Sequence, residues 1–302
     1  MQPIITDTIR IERLVESEGP LYPPQVLLPD LAQSAVDAHR VWLAPRFFDP
    51  QTRLLVMSLH TFIIRTPQHV ILVDTCVGNN KHRPDFGDWH HQRTPYVENL
   101  NALGIALEDV DFVFCTHLHV DHIGWNTRLE DGRWVPTFPN ATYLFARREW
   151  EHWHAYTTAP AGPDDPYPLP VRQVLRDSYQ DSVLPVVEAG QSQLITSGHH
   201  IEEGIWVEAA PGHTPGNAIL TIERDGLHAV LSGDVIHHPL QVVYPEVSSA
   251  FCFDPEQSRQ TRRKFVEQYA DSNALILPAH FATPTAGRII SSQDGFRFVL
   301  RS

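Results

Sequence analysis

Cysteine is scarce: Cys76, Cys115 and Cys252 are the only three among 302 residues, an odd number with no close spacing. That excludes a disulfide framework and a cysteine-based zinc site. Positive charge is also short. Lys and Arg total 23 against 36 Asp and Glu, a net charge of −13. Neither nucleic acid nor an anionic membrane surface is therefore expected as a partner, because both require a basic face. No apolar run approaches the ~20 residues of a membrane-spanning helix. The opening stretch "MQPIITDTIRIERLVESEGP" interleaves charges throughout. No secretory leader is expected from it, and the expected location is cytoplasmic. Repeats and low-complexity tracts are missing too.

What is present is a soluble globular composition, 42% hydrophobic and 20% charged, enough for a sizeable core. Residues 1–50 are proline-rich without sustained periodicity and are expected to form an arm or flap on a catalytic domain spanning 51–302. "LLVMSLHTFIIRT" and "HVILVDT" read as a strand pair, "TPYVENLNALGI" as a helix, and "DFVFCT" as a short buried strand. "ATYLFAR" is a strand leading into the aromatic helix "REWEHWHAY". The Pro-rich "TTAPAGPDDPYPLP" follows as a loop, part of a lid-like insertion at about 155–190. Strand-like segments return from residue 193. Pro255 and Asp254 start a helix over 255–271. "NALILPAH" is a last buried strand, and "RIISSQDGFRFVL" a closing hairpin. Two blocks of strands with helices between and after them suit two packed mixed sheets flanked by helices, an α+β class.

The stretch "CTHLHVDHIGWN" places His117, His119, Asp121 and His122 just beyond the buried run "VDFVF". Three other strand ends carry matching residues: His213 in "EAAPGHTPGN", Asp234 in "HAVLSGDVIHH" and His280 in "ALILPAHF". Each is preceded by an apolar run, so each sits where a strand leaves its sheet. Seven nitrogen and oxygen donors suffice for two metal ions sharing one carboxylate. Imidazole and carboxylate suit Zn²⁺ first, with Fe²⁺ or Mn²⁺ as alternatives. Asp234 has two oxygens and can span ions ~3.5–4 Å apart. Any one of these residues alone reads as an ordinary turn or surface residue; together they read as a binuclear site.

"THLHVDH", "GHTPG", "SGD" and "PAH", in this order, resemble the metallo-β-lactamase-fold hydrolases over roughly residues 54–285. The resemblance implies an αββα sandwich. It also implies that His117, His119 and His213 hold one ion, that Asp121, His122 and His280 hold the other, and that Asp234 bridges. Asp74, ending "VILVDT", matches an aspartate that supports the site from behind the ligands. Asp234 stands where zinc β-lactamases have Cys or no bridging carboxylate, which makes antibiotic hydrolysis a minor option. His119 replaces the Glu of flavodiiron oxygen reductases. Only 302 − 280 = 22 residues follow His280, too few for the glutathione-binding domain of glyoxalase II. The branch that remains is similar to methyl-parathion hydrolases and acyl-homoserine-lactone lactonases, and it implies a homodimer.

The expected activity is hydrolysis of an ester bond, in a lactone or an aryl or carboxylic ester, by a hydroxide held between two ions. Phosphotriester cleavage is the expected side activity. With iron, the same ligands would suit a persulfide dioxygenase-like oxidoreductase. Asp121 is expected to orient the nucleophile and shuttle its proton, and Asp234 to stabilise developing charge. His237 stands where lactonases carry a tyrosine, and is expected to donate to the oxyanion. Trp125, Phe138, Trp153 and His238 are the expected substrate contacts, although Trp150 and Trp153 fit core packing equally well at their i,i+3 spacing.

Overall fold

The computed structural model describes residues 1–160, 167, 169–293 and 295–301. The first two thirds of the chain supply strands β1 (Ile4–Ile5), β2 (Arg10–Tyr22), β3 (Leu55–Arg65), β4 (Val70–Val73), β5 (Phe112–Cys115), β6 (Thr127–Glu130), β7 (Arg133–Pro136), β8 (Thr142–Ala146) and β9 (Ser192–Ile195). The last third supplies β10 (His200–Glu202), β11 (Ile205–Ala209), β12 (Ala218–Arg224), β13 (Leu227–Leu231), β14 (Leu275–Leu277), β15 (Gly287–Ser292) and β16 (Gly295–Leu300). One seven-stranded sheet runs β1-β2-β3-β4-β5-β8-β9, another runs β10 to β16 in order, and β6-β7 is a separate hairpin.

Both large sheets are mixed. Where the connection is short the pair is antiparallel, as in β3/β4 and β12/β13. Where a helix intervenes the pair is parallel. The helix Tyr96–Ala102 separates β4 from β5, and Pro255–Tyr269 separates β13 from β14. Two mixed sheets with helices are the α+β class expected from the sequence. Among the described residues, no helix is long and apolar enough to cross a membrane.

The chain forms two compact units. The first comprises Met1–Asp7, Ser17–Leu59 and Thr196–Ser302, and the second Thr8–Glu16 and His60–Ile195. The core of the first gathers Leu43, Phe47, Phe48, Val230, Val266, Ile276 and Phe281. That of the second gathers Ile63, Leu72, Val113, Tyr143, Phe145 and Trp153. In β5, Val113, Phe114 and Cys115 are all buried, the continuous apolar run of a strand covered on both faces.

One expectation needs correcting. Residues 1–50 are more regular than an irregular arm: they hold the 13-residue β2 and an 11-residue helix, Gln33–Leu43. Charges hid the strand, because Glu12 is buried yet held by Arg10 and Arg65, each at 2.8 Å. The stretch 157–170, expected to be a lid-like loop, lies partly outside the described residues at 161–166 and 168. What is described around it is helical, Arg147–Thr158, Leu169–Ser182 and Leu184–Glu188.

Candidate metal centre

In the second unit, the chain leaves the sheet after Cys115, at the carboxyl end of parallel β5. That is the position where α/β sheets present ligands. Asp74 organises this exit. One of its oxygens accepts from the Thr116 amide (2.8 Å) and the other from the Thr116 hydroxyl (2.9 Å). The second oxygen also lies 2.9 Å from His122 Nδ1. A carboxylate accepts, so Nδ1 carries the proton and the lone pair of neutral His122 sits on Nε2. The Thr116 hydroxyl has one proton, already given to Asp74. It therefore accepts from His117 Nδ1 at 3.1 Å and fixes that tautomer as well. Glu149 accepts from the Leu118 amide (3.0 Å) and from Trp153 Nε1 (2.6 Å). The Trp153 ring then packs edge-on against His119, with centroids 5.5 Å apart. The centroid of His117 is 4.7 Å from that of His119 and 4.0 Å from that of His122. Asp121 Oδ2 lies 3.8 Å from His122 Nε2, and its side chain is the most exposed of the four.

In the first unit, register explains a second cluster. β13 and β14 pair in parallel with Leu231 opposite Leu277. Asp234 lies 234 − 231 = 3 residues beyond that pair and His280 lies 280 − 277 = 3 beyond it, so both emerge at one end of the sheet. His213 comes from the loop joining β11 to β12, which is closed by the Asn217 side chain donating to Ala210 O at 2.9 Å. Asp234 is 3% exposed. Its Oδ2 lies 3.2 Å from His213 Nε2 and 3.1 Å from His237 Nε2, and its Oδ1 lies 3.1 Å from His280 Nε2.

The chemistry of this donor set fits a cation. His280 Nδ1 faces the Ser58 carbonyl at 3.2 Å and must donate to it, which leaves a lone pair on Nε2 of the neutral ring. In the neutral ring that lone pair and an ionised Asp234 oxygen repel at 3.1 Å, and either a proton on Nε2 or a bound ion relieves the pair. A shared divalent ion removes the conflict: ligand bonds of about 2.0–2.2 Å put neighbouring donors ~3–3.5 Å apart. His213, Asp234 and His237 likewise bring three donor atoms within 4.8 Å of one another.

The four expected substrate contacts are all buried. Phe138 is fully buried. Trp125 stacks on Tyr96 with its indole N–H held by Glu16 at 2.7 Å, and Trp153 is the support behind His119. His238 is 1% exposed, donates to Phe47 O at 2.9 Å and accepts from the Leu240 amide. Burial holds its imidazole down to about 4, against the raising effect of the Phe47 carbonyl. Both ring nitrogens of His238 are thus engaged within the protein. His237 is buried beside Asp234, its amide held by Gln241 at 2.8 Å. Sequence reasoning missed Glu16, Glu149 and Gln241, whose partners are set only by folding. It also missed Cys252, whose sulfur lies 3.6 Å from His213 Nδ1.

Residues 58–280 match the family described as Metallo-beta-lactamase superfamily, a span that closes on His280. The chain belongs to this superfamily. An N-acyl homoserine lactonase of Bacillus thuringiensis is 22% identical over 240 residues, which cover 76% of this chain and 83% of that protein. Two other curated N-acyl homoserine lactonases are matched over only 18% and 40% of their own length. Among solved structures, the hydrolase AbOPH of the beta lactamase superfamily superposes with a TM-score of 0.80 at 23% identity, covering 99% of this chain and 97% of that one. AidC, described as a dizinc quorum-quenching lactonase, superposes at 0.75 with 20% identity, covering 100% and 97%. These likenesses establish the shared superfamily fold.

Proposed function

We propose that the two clusters act as one binuclear centre in a hydrolase that opens lactones and related esters. His117, His119 and His213 would hold one divalent ion, Asp121, His122 and His280 the other, and Asp234 would serve both. Zn²⁺ suits this imidazole and carboxylate set best. The observation that carries the reading is the buried Asp234 carboxylate, faced at 3.1–3.2 Å by three imidazole Nε2 atoms. A divalent ion shared by these atoms would relieve the lone-pair conflict of a neutral His280 with this carboxylate. The lactonase names among the relatives support the substrate class.

When bound, such ions polarise a carbonyl oxygen and bring the pKa of water close to neutrality. The chain's own contribution is orientation and proton handling. Asp74 and Thr116 lock the tautomers of His122 and His117, Ser58 locks that of His280, and the Glu149–Trp153 pair fixes His119. Asp121 is the most solvent-accessible carboxylate of the set, and its Oδ atoms would take a proton from the attacking water and return it to the leaving alkoxide. His237 Nε2, 3.1 Å from Asp234 Oδ2, would donate to that carboxylate and hold it in place.

The test is metal content measured beside turnover of N-acyl homoserine lactones, aryl esters, a phosphotriester and a β-lactam, with and without chelator. Two ions per chain and chelator-sensitive lactone opening are expected. Unimpaired lactone opening by metal-free protein would overturn the reading. So would a fully loaded protein inert towards every lactone and ester but consuming oxygen with a persulfide.

A further inference from the structure

A third group of imidazoles, separate from both clusters, sits on the second unit in the segment "NKHRPDFGDWHHQ", residues 80–92. Its base is pinched: the Asn80 amide donates to Gln92 O at 3.0 Å and the His91 amide to Lys81 O at 2.8 Å. Lys81 and Arg83 are both fully buried, and Arg83 makes a two-pronged contact with Asp181 at 2.8 and 2.9 Å. His82, between these two buried residues, is exposed. His91 adopts a left-handed backbone, φ 52°, which an L-residue takes at some cost. The result brings His82, His90 and His91 together, with ring centroids 5.0, 5.4 and 4.1 Å apart and one nitrogen of each within 4.8 Å of the others.

Hydrogen bonding decides which lone pairs face inward. His91 Nδ1 lies 3.1 Å from the Asn80 carbonyl. A carbonyl only accepts, so the lone pair of neutral His91 is on Nε2. That atom faces His82 Nδ1 at 3.5 Å, the far limit of a hydrogen bond. It is close to the ~3.3 Å that two nitrogens adopt on a tetrahedral ion with Zn–N bonds of about 2.0–2.1 Å. His90 Nδ1 accepts from the Arg83 amide at 3.0 Å. Whichever nitrogen His90 offers, that bond is lost, since using Nε2 requires a proton on Nδ1.

We propose that His82, His90 and His91 form a surface site for a borderline divalent cation, Zn²⁺ or its neighbours Ni²⁺ and Cu²⁺. His82 and His91 are the principal donors and His90 the weaker third. An ion there ties the two ends of the segment together on the fixed Arg83–Asp181 anchor and stabilises the folded chain by mass action.

The test titrates Zn²⁺ into the full chain already loaded at its tight sites and counts bound metal after dialysis. The double variant His82→Ala/His91→Asn keeps a residue that tolerates the left-handed backbone. Wild type is expected to bind one more Zn²⁺ per chain than this variant, and to gain a zinc-dependent rise in melting temperature that the variant lacks. His90→Ala should weaken the extra site by about tenfold without removing it. The count is a difference, so it reads this site whether or not lactones are hydrolysed. Equal zinc counts in wild type and variant, or in wild type and the single variant His82→Ala should the double variant misfold, overturn the proposal.

Discussion

At the scale of single residues, donor and supporting side chains separate by what their loss should do. Asp234→Ala leaves three buried imidazoles around an empty position and is expected to abolish metal retention and turnover together. Asp74→Ala removes no donor, only the acceptor that orients His122 and steadies Thr116. Removing such a support costs about 10–100-fold in metal affinity. Competition with a chromogenic chelator checks both. Asp74→Ala retaining wild-type affinity would show that the His122 tautomer is fixed elsewhere. The seven proposed donors were legible in the sequence because each is a polar residue ending a buried run. The packing partners of the aromatic residues were not. Apolar character announces burial without saying against what, and Trp125 meets Glu16 across 109 positions of sequence. Likewise nothing local to "HHP" reveals that His238 reaches back 191 positions to Phe47.

At the scale of elements, the strands that deliver donors were readable from their apolar runs, whereas register was not. Nothing in "LHAVL" and "LIL" says that Leu231 faces Leu277, yet that pairing brings Asp234 to His280. The β6-β7 hairpin was missed although Asp131-Gly132 signals its turn, with φ values of 47° and 76°. Glycine matters most at the His213 loop. Gly212 has φ 130°, and a Cβ there would lie 2.3 Å from Ser258 N and 2.5 Å from its Cα, in the helix Pro255–Tyr269. Helix backbone cannot yield as a flexible side-chain tip would. Gly212→Ala is therefore expected to cost about 2–4 kcal/mol and to displace His213. Urea unfolding with and without added metal measures both effects, and a variant of unchanged stability would mean the loop slides freely past that helix.

At the scale of the whole molecule, an acidic chain should lose stability as rising pH adds negative charge, yet two buried bases oppose that trend. Lys81 is fully buried, with Nζ 2.7 Å from Thr127 Oγ1, 3.5 Å from Asp181 Oδ1 and 3.7 Å from the centre of the Trp134 ring. Burial outweighs the attraction of Asp181 and brings its amine down to about 7 from 10.5. Between those values the unfolded chain holds a proton that the folded chain has released, so this group makes stability rise with pH across that window. For His238 the same sign applies lower down: stability is complete above about 6.5 and is lost as pH falls towards about 4. Lys81→Met removes the first contribution while keeping most of the apolar stem. Urea midpoints compared at pH 7 and pH 10 should rise more, or fall less, in wild type than in this variant. A difference between the two proteins that stays constant with pH would mean that the Asp181 partnership keeps Lys81 charged throughout.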